Sequence, residues 1–457
     1  MNFFVPKNIV LISGDILITF ISAYAGVFLR LYGSFDSPLL QYFPFLPKAI
    51  TFSVFIIFTC FLLDLYDIEK GSGRKETFLK ILFAGLFTAV ALAALYYFVP
   101  FLQIGRGIFF LALCISILLQ SMWHIGHSLF LRLPVVAKRV LILGTGPIAK
   151  TMGKILRANN NGLALSGYVN CSDEPVHVPV HYVVGNGEGL LAIALKEKAQ
   201  KIVVSLSERR GTFPVREVLD CKLQGIEIID GPSFYEQLTG KLLIENMNPS
   251  HLIFSDGFRM TMFRRYIKRM FDIITATVGI VFSLPFLVII PVLIKLDSGG
   301  RVLFKQERVG EGEKIFRIFK FRTMVDGAEK DTGPVWSQSG DSRVTTVGKL
   351  LRKTRLDEIP QLFNVIRGDM SFIGPRPERP FFVESLKKQI HYYSERHCLK
   401  PGITGWAQVR YEYGDSIEDA IEKMRYDLYY IKYQSFSLDL LIVLDTIKVV
   451  LFGGGGR

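Results

Sequence analysis

The chain has 457 residues, enough for two or three domains, and its 54 Lys and Arg against 41 Asp and Glu give a formal charge of +13. Half of the residues are hydrophobic, which is too apolar for a basic soluble nucleic-acid-binding protein, and the sequence has no nucleic-acid-reading motif. Five cysteines without a CxxC pair argue against a disulfide framework and a zinc site. A basic and apolar composition indicates a membrane protein whose cytoplasmic side carries the Lys and Arg.

Four apolar runs in the first third of the chain approach the roughly 20 residues that a transmembrane helix needs. They are Ile9–Leu29, Pro47–Leu65, Phe78–Phe101 and Ile108–Phe130. We therefore predict a membrane α-helical bundle over residues 1–132. Asp15 interrupts the first run; we place it near a helix end and expect it to have a structural role.

Cationic residues are unevenly distributed among the segments that join these runs. Those between runs two and three and after run four are Lys70, Arg74, Lys75, Arg132, Lys138 and Arg139. The first and third loops are flanked only by Arg30, Lys48 and Arg106. This bias predicts that both ends of the bundle lie in the cytoplasm, together with the domains that follow it.

Residues 138–250 have the pattern of an α/β domain. The stretch KRVLILGTGPIAKTMGKIL places an apolar strand before Gly144-x-Gly146 and then a helical pattern, as in dinucleotide-binding proteins. Further apolar strands alternate with helical stretches, so we predict a Rossmann-like, doubly wound sheet. The second strand ends at Asn170, where an NAD site usually carries an acid, and Asp173 comes late. We therefore favour a structural or regulatory module over a nucleotide bound at Gly144 and Gly146.

A further apolar segment of 22 residues, Ile273–Ile294, is long enough to span a bilayer. Ser283, Leu284 and Pro285 lie at its centre, and Pro285 removes a backbone donor, so we predict a helix, a break and a second helix. Both flanks are basic, and a spanning helix would carry one of them across the membrane. We therefore predict a re-entrant hairpin over about 268–296 rather than a transmembrane helix.

The adjacent acids Asp357 and Glu358 in LDEIP have two explanations. In the structural explanation, Asp357 caps a helix that has Pro360 in its first turn, runs to about Ile366 and ends at Gly368. In the functional explanation, the two carboxylates do chemistry on a substrate. The sequence around them decides between the two.

Many more cations surround the acids than one carboxylate pair needs. They are Lys320, Arg322, Arg343, Arg352, Arg355, Arg376 and Arg379. The planar fork of arginine recognises phosphate, so we expect these residues to bind a phosphorylated substrate. A carboxylate among phosphate-binding groups serves as a nucleophile at phosphorus or as a ligand of Mg²⁺, and Asp357 and Glu358 are our candidates for both roles.

Five motifs, in order, resemble those of the bacterial sugar transferase family, which are polyprenyl-phosphate phosphoglycosyl transferases with a monotopic catalytic domain. They are Gln306-x-Arg308-x-Gly310, KFRTM (320–324), LDEIPQL (356–362), GDMSFIGPRP (368–377) and KPGITGWAQV (400–409). The resemblance covers roughly residues 260 to 450. The whole layout looks like that of the large members that initiate exopolysaccharide or O-antigen assembly. It implies a mainly α catalytic domain over 260–457, which includes the re-entrant hairpin.

The resemblance implies that a sugar-1-phosphate passes from a UDP-sugar to undecaprenyl phosphate at the bacterial inner membrane, with release of UMP. Asp357 matches the nucleophile that forms a covalent phosphosugar intermediate, and Glu358 matches its partner, which helps to hold Mg²⁺. The positions matched to the phosphates or the nucleotide are Lys320, Arg322 and Arg376, with Asp427 as a further acid near the site. The sequence does not identify the sugar.

Two other functions compete with this one. A membrane-tethered nucleotide sensor or scaffold would bind a nucleotide tightly at Gly144 and Gly146 and would have no turnover. A polytopic transporter would need polar residues along a path through several spans, and the first four runs offer little beyond Asp15. The partners expected are a UDP-sugar, undecaprenyl phosphate and membrane lipid, with no nucleic acid and with a homodimer left as an option.

Overall fold

The computed structural model describes residues 6–31, 45–63, 65–66, 74–131, 137–158, 162–171, 175–206, 213–244, 257–258, 260–325, 327–328, 341, 343–411, 414 and 416–452. The chain divides into two compact units, residues 2–234 and 235–457. Lys70, Arg132 and Asp173, which entered the predictions above, lie outside the described residues.

The chain begins with four apolar helices, as the sequence predicts. They are α1 (Pro6–Leu31), α2 (Leu46–Leu62), α3 (Arg74–Phe98) and α4 (Arg106–Leu131). By length and composition α1, α3 and α4 can each cross a membrane, whereas α2 has only 17 residues. Large apolar side chains such as Phe52 and Leu92 fill the space between these helices and are fully buried.

Asp15 is fully buried and lies in the middle of α1, so the prediction that it sits near a helix end is wrong. Its Oδ2 accepts a hydrogen bond from the hydroxyl of Tyr66 at 2.8 Å and lies 2.9 Å from Nε2 of His124. The acid therefore finds polar partners after α2 and on α4 instead of water. These contacts agree with a structural role for Asp15 in joining the helices.

A fully parallel five-stranded sheet with intervening helices follows, which confirms the α/β prediction for this region. Its elements are β1 (Lys138–Leu143), α5 (Pro147–Ala158), β2 (Leu163–Asn170), β3 (Val183–Asn186), α6 (Leu190–Lys196), β4 (Lys201–Val204), α7 (Val215–Leu223), β5 (Glu227–Asp230) and α8 (Gly231–Thr239). The strand order is β3-β2-β1-β4-β5. The central strand β1 pairs Leu141 with Gly167 and with Ile202 and has no exposed residue after Lys138.

The unit of residues 235–457 is mainly helical, with two small sheets. Its elements are α9 (Met262–Asp297), β6 (Leu303–Val309), β7 (Ile315–Phe321), α10 (Thr346–Thr354), α11 (Gln361–Arg367), β8 (Ser371–Ile373), α12 (Pro380–Gln389), β9 (Gly402–Thr404), α13 (Trp406–Arg410), α14 (Ile417–Tyr433) and α15 (Phe436–Phe452). β6 and β7 form an antiparallel hairpin, and β8 and β9 pair in parallel. α9 packs against α11, the helix that follows the segment that carries the acids.

α9 is assigned as one helix of 36 residues with Pro285 and Pro291 inside it. The sequence predicts that the helix breaks at Ser283–Pro285, but it is not divided there. By length and composition it is able to cross a membrane. Large apolar side chains in its middle are exposed, among them Phe282 at 78% and Val288 at 70%.

Candidate active site

Asp357 and Glu358 lie in a short 3-10 turn, Leu356–Glu358, between α10 and α11. Arg355 ends α10 and precedes the turn with φ 58°, a left-handed conformation that non-glycine residues rarely adopt. The N-cap of α11 is Pro360, and no side chain caps this helix. The structural explanation of the acids is therefore wrong in its detail, because Asp357 does not cap the helix. Gly368 ends α11 with φ 94°, as the sequence predicts.

Two cations from different elements converge on Glu358. Nζ of Lys320, on β7, donates a hydrogen bond to Oε1 of Glu358 at 2.8 Å. An NH2 group of Arg376, which follows β8, donates to the same oxygen at 3.4 Å. Burial alone would raise the pKa of Glu358, but the charges of Lys320, Arg376 and Arg355 outweigh it and hold this pKa below its usual range. Glu358 is therefore ionised at neutral pH.

Asp357 has a different environment from its neighbour. Its side chain is buried, and burial together with the negative charge of Glu358 raises its pKa to about 6, against the opposing charges of Lys320, Arg352 and Arg376. A carboxylate that is little solvated and yet ionised at neutral pH is a more available nucleophile than one bound by several cations. The site therefore separates two chemically identical groups into a fixed anion and a titratable one.

Three of the other cations named from the sequence also lie close to the acids or to β7. The positive charge of Arg352 opposes the rise in the pKa of Asp357, and Nε of Arg352 donates a hydrogen bond to Oγ1 of Thr323 at 2.9 Å. The positive charge of Arg355 helps to lower the pKa of Glu358. Arg322 is buried, and its NH2 donates to the backbone oxygen of Ser298 at 2.7 Å, which joins the end of β7 to the end of α9. Its Nε and NH1 atoms are buried without a hydrogen-bond partner among the described residues.

Arg343 makes a local set of contacts. Its guanidinium binds the carboxylate of Asp341 in a forked arrangement, with NH2 2.6 Å from Oδ2 and Nε 2.9 Å from Oδ1. NH1 also donates to the backbone oxygen of Ala328 at 3.1 Å. The ion pair lowers the pKa of Asp341 to about 2. These contacts give Arg343 a clear role in holding its own loop.

The turn that carries Arg376 is held by backbone and side-chain bonds. A Cβ atom at Gly374 would lie 2.3 Å from the carbonyl oxygen of Lys400, so only glycine fits between the two segments. The carbonyl oxygen of Arg376 accepts a hydrogen bond from NH2 of Arg396 at 3.0 Å. The same NH2 donates to Oδ2 of Asp427 at 2.8 Å, and burial raises the pKa of Asp427 to about 6 despite this ion pair. Asp427 therefore holds Arg396 in place, and Arg396 in turn holds the backbone at Arg376.

Asn364 is a buried polar residue beside the acids that the sequence did not single out. It is fully buried on α11, where its Nδ2 donates to the backbone oxygen of Arg317 at 2.8 Å and its Oδ1 accepts from the backbone amide of Phe319 at 3.0 Å. The side chain thus pairs with β7 as a neighbouring strand would. Because Lys320 is the next residue on β7, this contact helps to fix the distance between Lys320 and Glu358.

The acids suit a magnesium ion that is shared with a substrate. Among the residues that the structure describes, no three His, Cys, Asp or Glu side chains are grouped to hold a metal ion by themselves. Mg²⁺ commonly binds through one or two carboxylates and takes its other ligands from water and substrate phosphates. Asp357 and Glu358 are adjacent carboxylates beside the cations Lys320 and Arg376, so their chemistry fits this mode. The ion would neutralise charge on phosphate oxygens.

The glycine loop of the parallel sheet has a packing role. Gly144 has φ +123°, and a Cβ atom there would lie 2.9 Å from the carbonyl oxygen of Ser205. Oγ1 of Thr145 donates to Oδ1 of Asn170 at 3.3 Å, so the side chain at the end of β2 contacts this loop. The backbone at Gly146 continues into α5. Glycine at 144 is therefore required by the fold, whether or not a nucleotide binds.

Comparison with known proteins agrees with the site. Residues 263–453 match the family model described as bacterial sugar transferase. The chain is 44% identical over 237 residues to the UDP-N-acetylgalactosamine-undecaprenyl-phosphate N-acetylgalactosaminephosphotransferase of Aeromonas hydrophila, a match that covers 52% of this chain and 55% of that protein. It is 32% identical over 326 residues to the undecaprenyl-phosphate glucose phosphotransferase of Komagataeibacter xylinus, covering 69% and 60%.

A third relative is much shorter. The chain is 37% identical over 198 residues to the exopolysaccharide production protein PSS of Rhizobium leguminosarum bv. phaseoli, which covers 42% of this chain and 98% of that protein. By contrast, the chain spans only a little more than half of the length of the Aeromonas and Komagataeibacter relatives. Asp357, Glu358 and the cations around them lie within the segment that the family model matches.

Proposed function

This chain belongs to the bacterial sugar transferase family, and from that membership we propose that it transfers a sugar-1-phosphate from a UDP-sugar to undecaprenyl phosphate. The products are UMP and undecaprenyl-diphosphate-sugar. The observation that carries the proposal is the pair Asp357–Glu358, in which Lys320 and Arg376 fix Glu358 while Asp357 remains a buried, titratable acid. A helix cap requires none of this arrangement.

In the first step we propose that a carboxylate oxygen of Asp357 attacks the phosphorus that bears the sugar. The new bond is an acyl phosphate, and the bond that breaks joins this phosphorus to the oxygen of the departing UMP. Lys320 and Arg376 lie at Glu358, where their N–H donors bind the diphosphate oxygens as charge shifts towards the leaving group. Because the pKa of Asp357 is about 6, most of the protein has the attacking carboxylate ionised at neutral pH.

In the second step an oxygen of undecaprenyl phosphate attacks the same phosphorus. The acyl phosphate bond breaks, the carboxylate of Asp357 is regenerated, and the lipid retains the sugar phosphate. No proton has to be removed from the acceptor, because its attacking oxygen is already anionic. We propose that Asp357 and Glu358 hold Mg²⁺ together with substrate phosphate. When bound there, the metal would reduce the repulsion between anionic groups.

We propose that α9 dips into one leaflet and returns through a kink at Pro285 inside the continuous helix. Near its start, Asp272 bonds to Ser371, and at its end Oδ2 of Asp297 accepts from the backbone amide of Val347 at 3.1 Å. A straight helix would separate Asp272 from Asp297 by about 38 Å, more than the roughly 30 Å thickness of a hydrocarbon core. Both ends of α9 contact the unit of residues 235–457, and the apolar side chains between these ends are exposed. These two observations support a hairpin.

The hairpin is tested by labelling. Single cysteines at positions 262 and 301, in a background without the exposed native cysteines, should both react with a membrane-impermeant maleimide in inverted membrane vesicles. Reaction of only one of the two would indicate a spanning helix.

We propose a location in the bacterial inner membrane with the catalytic unit on its cytoplasmic face, where UDP-sugars are made. The transferred sugar is a hexose or an N-acetylated hexose, since relatives are named for glucose and for N-acetylgalactosamine. We propose that the product is the first lipid-linked sugar of an exopolysaccharide, O-antigen or capsule. A structural or regulatory role is proposed for the Rossmann-like sheet, with nucleotide binding at Gly144 and Gly146 as the alternative.

The reaction is tested by release of UMP from a panel of UDP-sugars by the purified full-length protein in lipid nanodiscs, with Mg²⁺ and with or without undecaprenyl phosphate. We expect sustained release with one donor, dependent on lipid and lost on chelation of the metal. The Asp357→Asn variant should lose on the order of 10³-fold or more in rate. A folded protein that binds a nucleotide but releases no UMP from any donor would favour the membrane-tethered sensor or scaffold.

A further inference from the structure

The first turns of α9 contact the segment that carries the acids. Arg269 donates from NH1 to the backbone oxygen of Val365 and from NH2 to that of Ile366, both at 2.7 Å. These carbonyls belong to the last turn of α11, where a helix leaves its backbone oxygens without partners in the helix. A cation there also complements the helix dipole. Arg269 thus fixes the end of the helix that follows Asp357 and Glu358.

One turn further along α9, Asp272 contacts the segment that leads to Arg376. Its Oδ1 accepts hydrogen bonds from Oγ of Ser371 at 2.9 Å and from the backbone amide of Phe372 at 3.0 Å. The carboxylate is buried, with only 2% of the residue exposed. β8 continues directly into Gly374 and Arg376, so Asp272 holds the strand from which the Arg376 turn begins.

The charge of Asp272 is balanced within the same cluster. Nζ of Lys268 lies 3.5 Å from Oδ1 of Asp272 and 3.0 Å from Oδ2 of Asp439. The hydroxyl of Tyr430 donates to Oδ1 of Asp439 at 2.7 Å. A buried carboxylate with a cationic neighbour and two donors is a well-satisfied acceptor, and removing it leaves buried donors without a partner.

Arg269 and Asp272 are three residues apart on a helix and therefore share one face. One of them holds the segment with the nucleophile, and the other holds the strand that leads to the phosphate-binding arginine. We propose, on the basis of the proposed function, that Arg269 and Asp272 are positioning residues, which fix the separation between the Asp357–Glu358 turn and Arg376. α9 then contacts both halves of the site and keeps them aligned with each other.

When Arg269 or Asp272 is replaced, the two halves of the site therefore lose their alignment, even though neither side chain touches the substrate. A misplacement of about 1 Å in a catalytic arrangement can reduce a rate by about 10²-fold. Because Arg376 is expected to bind the donor as well as to stabilise the transition state, the donor KM should also rise. A change in the amount of folded protein would leave KM unchanged.

The experiment uses the full-length protein in nanodiscs, with UDP-N-acetylgalactosamine and UDP-glucose as donors and UMP release as the readout. Asp272→Ala and Arg269→Gln should each lower kcat by about 10²-fold and raise the donor KM. Asp272→Asn keeps an oxygen that accepts from Ser371 and Phe372, so it should recover most of the activity. Arg265→Gln is the matched control, because Arg265 is an exposed cation on the same stem.

Hydrogen exchange of the same variants gives a readout that needs no turnover. Amide exchange should increase over 371–376 in Asp272→Ala and over 361–367 in Arg269→Gln, with 380–389 unchanged. The proposal is overturned if neither segment changes, if KM is unaltered and kcat falls only with the folded fraction, or if Asp272→Asn is as impaired as Asp272→Ala. Absence of UMP release in the wild-type protein would instead remove the proposed function, and the exchange data would still decide the positioning role.

Discussion

Nζ of Lys320 donates a hydrogen bond to Oε1 of Glu358 at 2.8 Å, across the gap between the β7 hairpin and the acidic turn. The contact places a half-buried cation next to two carboxylates that are adjacent in the sequence. Burial lowers the pKa of Lys320, and the negative charge of Glu358 opposes that effect. The ion pair therefore holds the anion of Glu358 in place and leaves Asp357 as the acid that gains and loses a proton near neutral pH.

Replacement of Lys320 tests this division of roles. In Lys320→Met, Glu358 keeps Arg376 but loses its closest donor, so the site has one fewer group to stabilise charge on the leaving phosphate. We expect kcat for UMP release to fall by about 10²-fold or more. Lys320→Arg, which keeps the charge, should retain more activity than Lys320→Met, measured with the same donor. Equal activity of the two variants would show that the charge at this position has no role.

The titration of Asp357 gives a second prediction. Its pKa is raised to about 6, so in metal-free protein the protonated carboxyl should react with a water-soluble carbodiimide with a midpoint near pH 6. Glu358 raises this pKa through its negative charge, and Glu358→Gln removes that charge. The midpoint should therefore move to lower pH in Glu358→Gln, as followed by mass spectrometry of the peptide that contains Asp357. A midpoint that stays in place or moves to higher pH would contradict the electrostatic explanation.

Asn364 provides a prediction about packing. Asn364→Ala leaves the backbone oxygen of Arg317 and the amide of Phe319 buried without their partner, at a cost of about 1–3 kcal/mol for each group. The melting temperature of the catalytic unit should fall, and the donor KM should rise because Lys320 loses its support. Asn364→Asp keeps the acceptor for Phe319 but buries a carboxylate against the oxygen of Arg317 and Oδ2 of Asp369, so its melting temperature should be no higher than that of Asn364→Ala. A wild-type donor KM in Asn364→Ala would separate Asn364 from the site.

The buried pair of Arg396 and Asp427 supports a double-mutant experiment. Asp427→Ala leaves the guanidinium of Arg396 buried without its carboxylate, which typically costs about 3–5 kcal/mol and should lower the melting temperature by about 10 °C. Arg396→Leu combined with Asp427→Ala removes the unpaired charge. The double variant should therefore be more stable than Asp427→Ala alone. If the double variant is the less stable of the two, the pair is not the interaction that Asp427 makes.

The sequence was sufficient to name a group of candidate residues that come together in the fold. Asp357 and Glu358 are adjacent in one motif, and the structure brings Lys320 and Arg376 from two other motifs to within hydrogen-bonding distance of Glu358. The apolar helices were predictable because the length and hydropathy of a segment can be read from that segment alone. The parallel sheet followed from alternating strand and helix patterns.

Other features depended on contacts between distant parts of the chain and could not be read in this way. Arg269 and Asp272 were only basic and acidic residues beside an apolar run, and their partners lie about 100 positions later. Asn364 was one amide in a short helix until β7 was placed beside it. Arg343 was grouped with the other cations, and its contacts with Asp341 and with the backbone oxygen of Ala328 could not be read from the sequence.

The most direct test of the mechanism is the mass of the protein after incubation with its UDP-sugar in the absence of undecaprenyl phosphate. A covalent phosphosugar on Asp357 predicts one equivalent of UMP and a mass increase equal to one sugar phosphate, located on the peptide that contains Asp357. The adduct should disappear when undecaprenyl phosphate is added and should not form in Asp357→Asn. Lipid-dependent transfer without any adduct, or an adduct that persists in Asp357→Asn, would contradict a nucleophilic role for this residue.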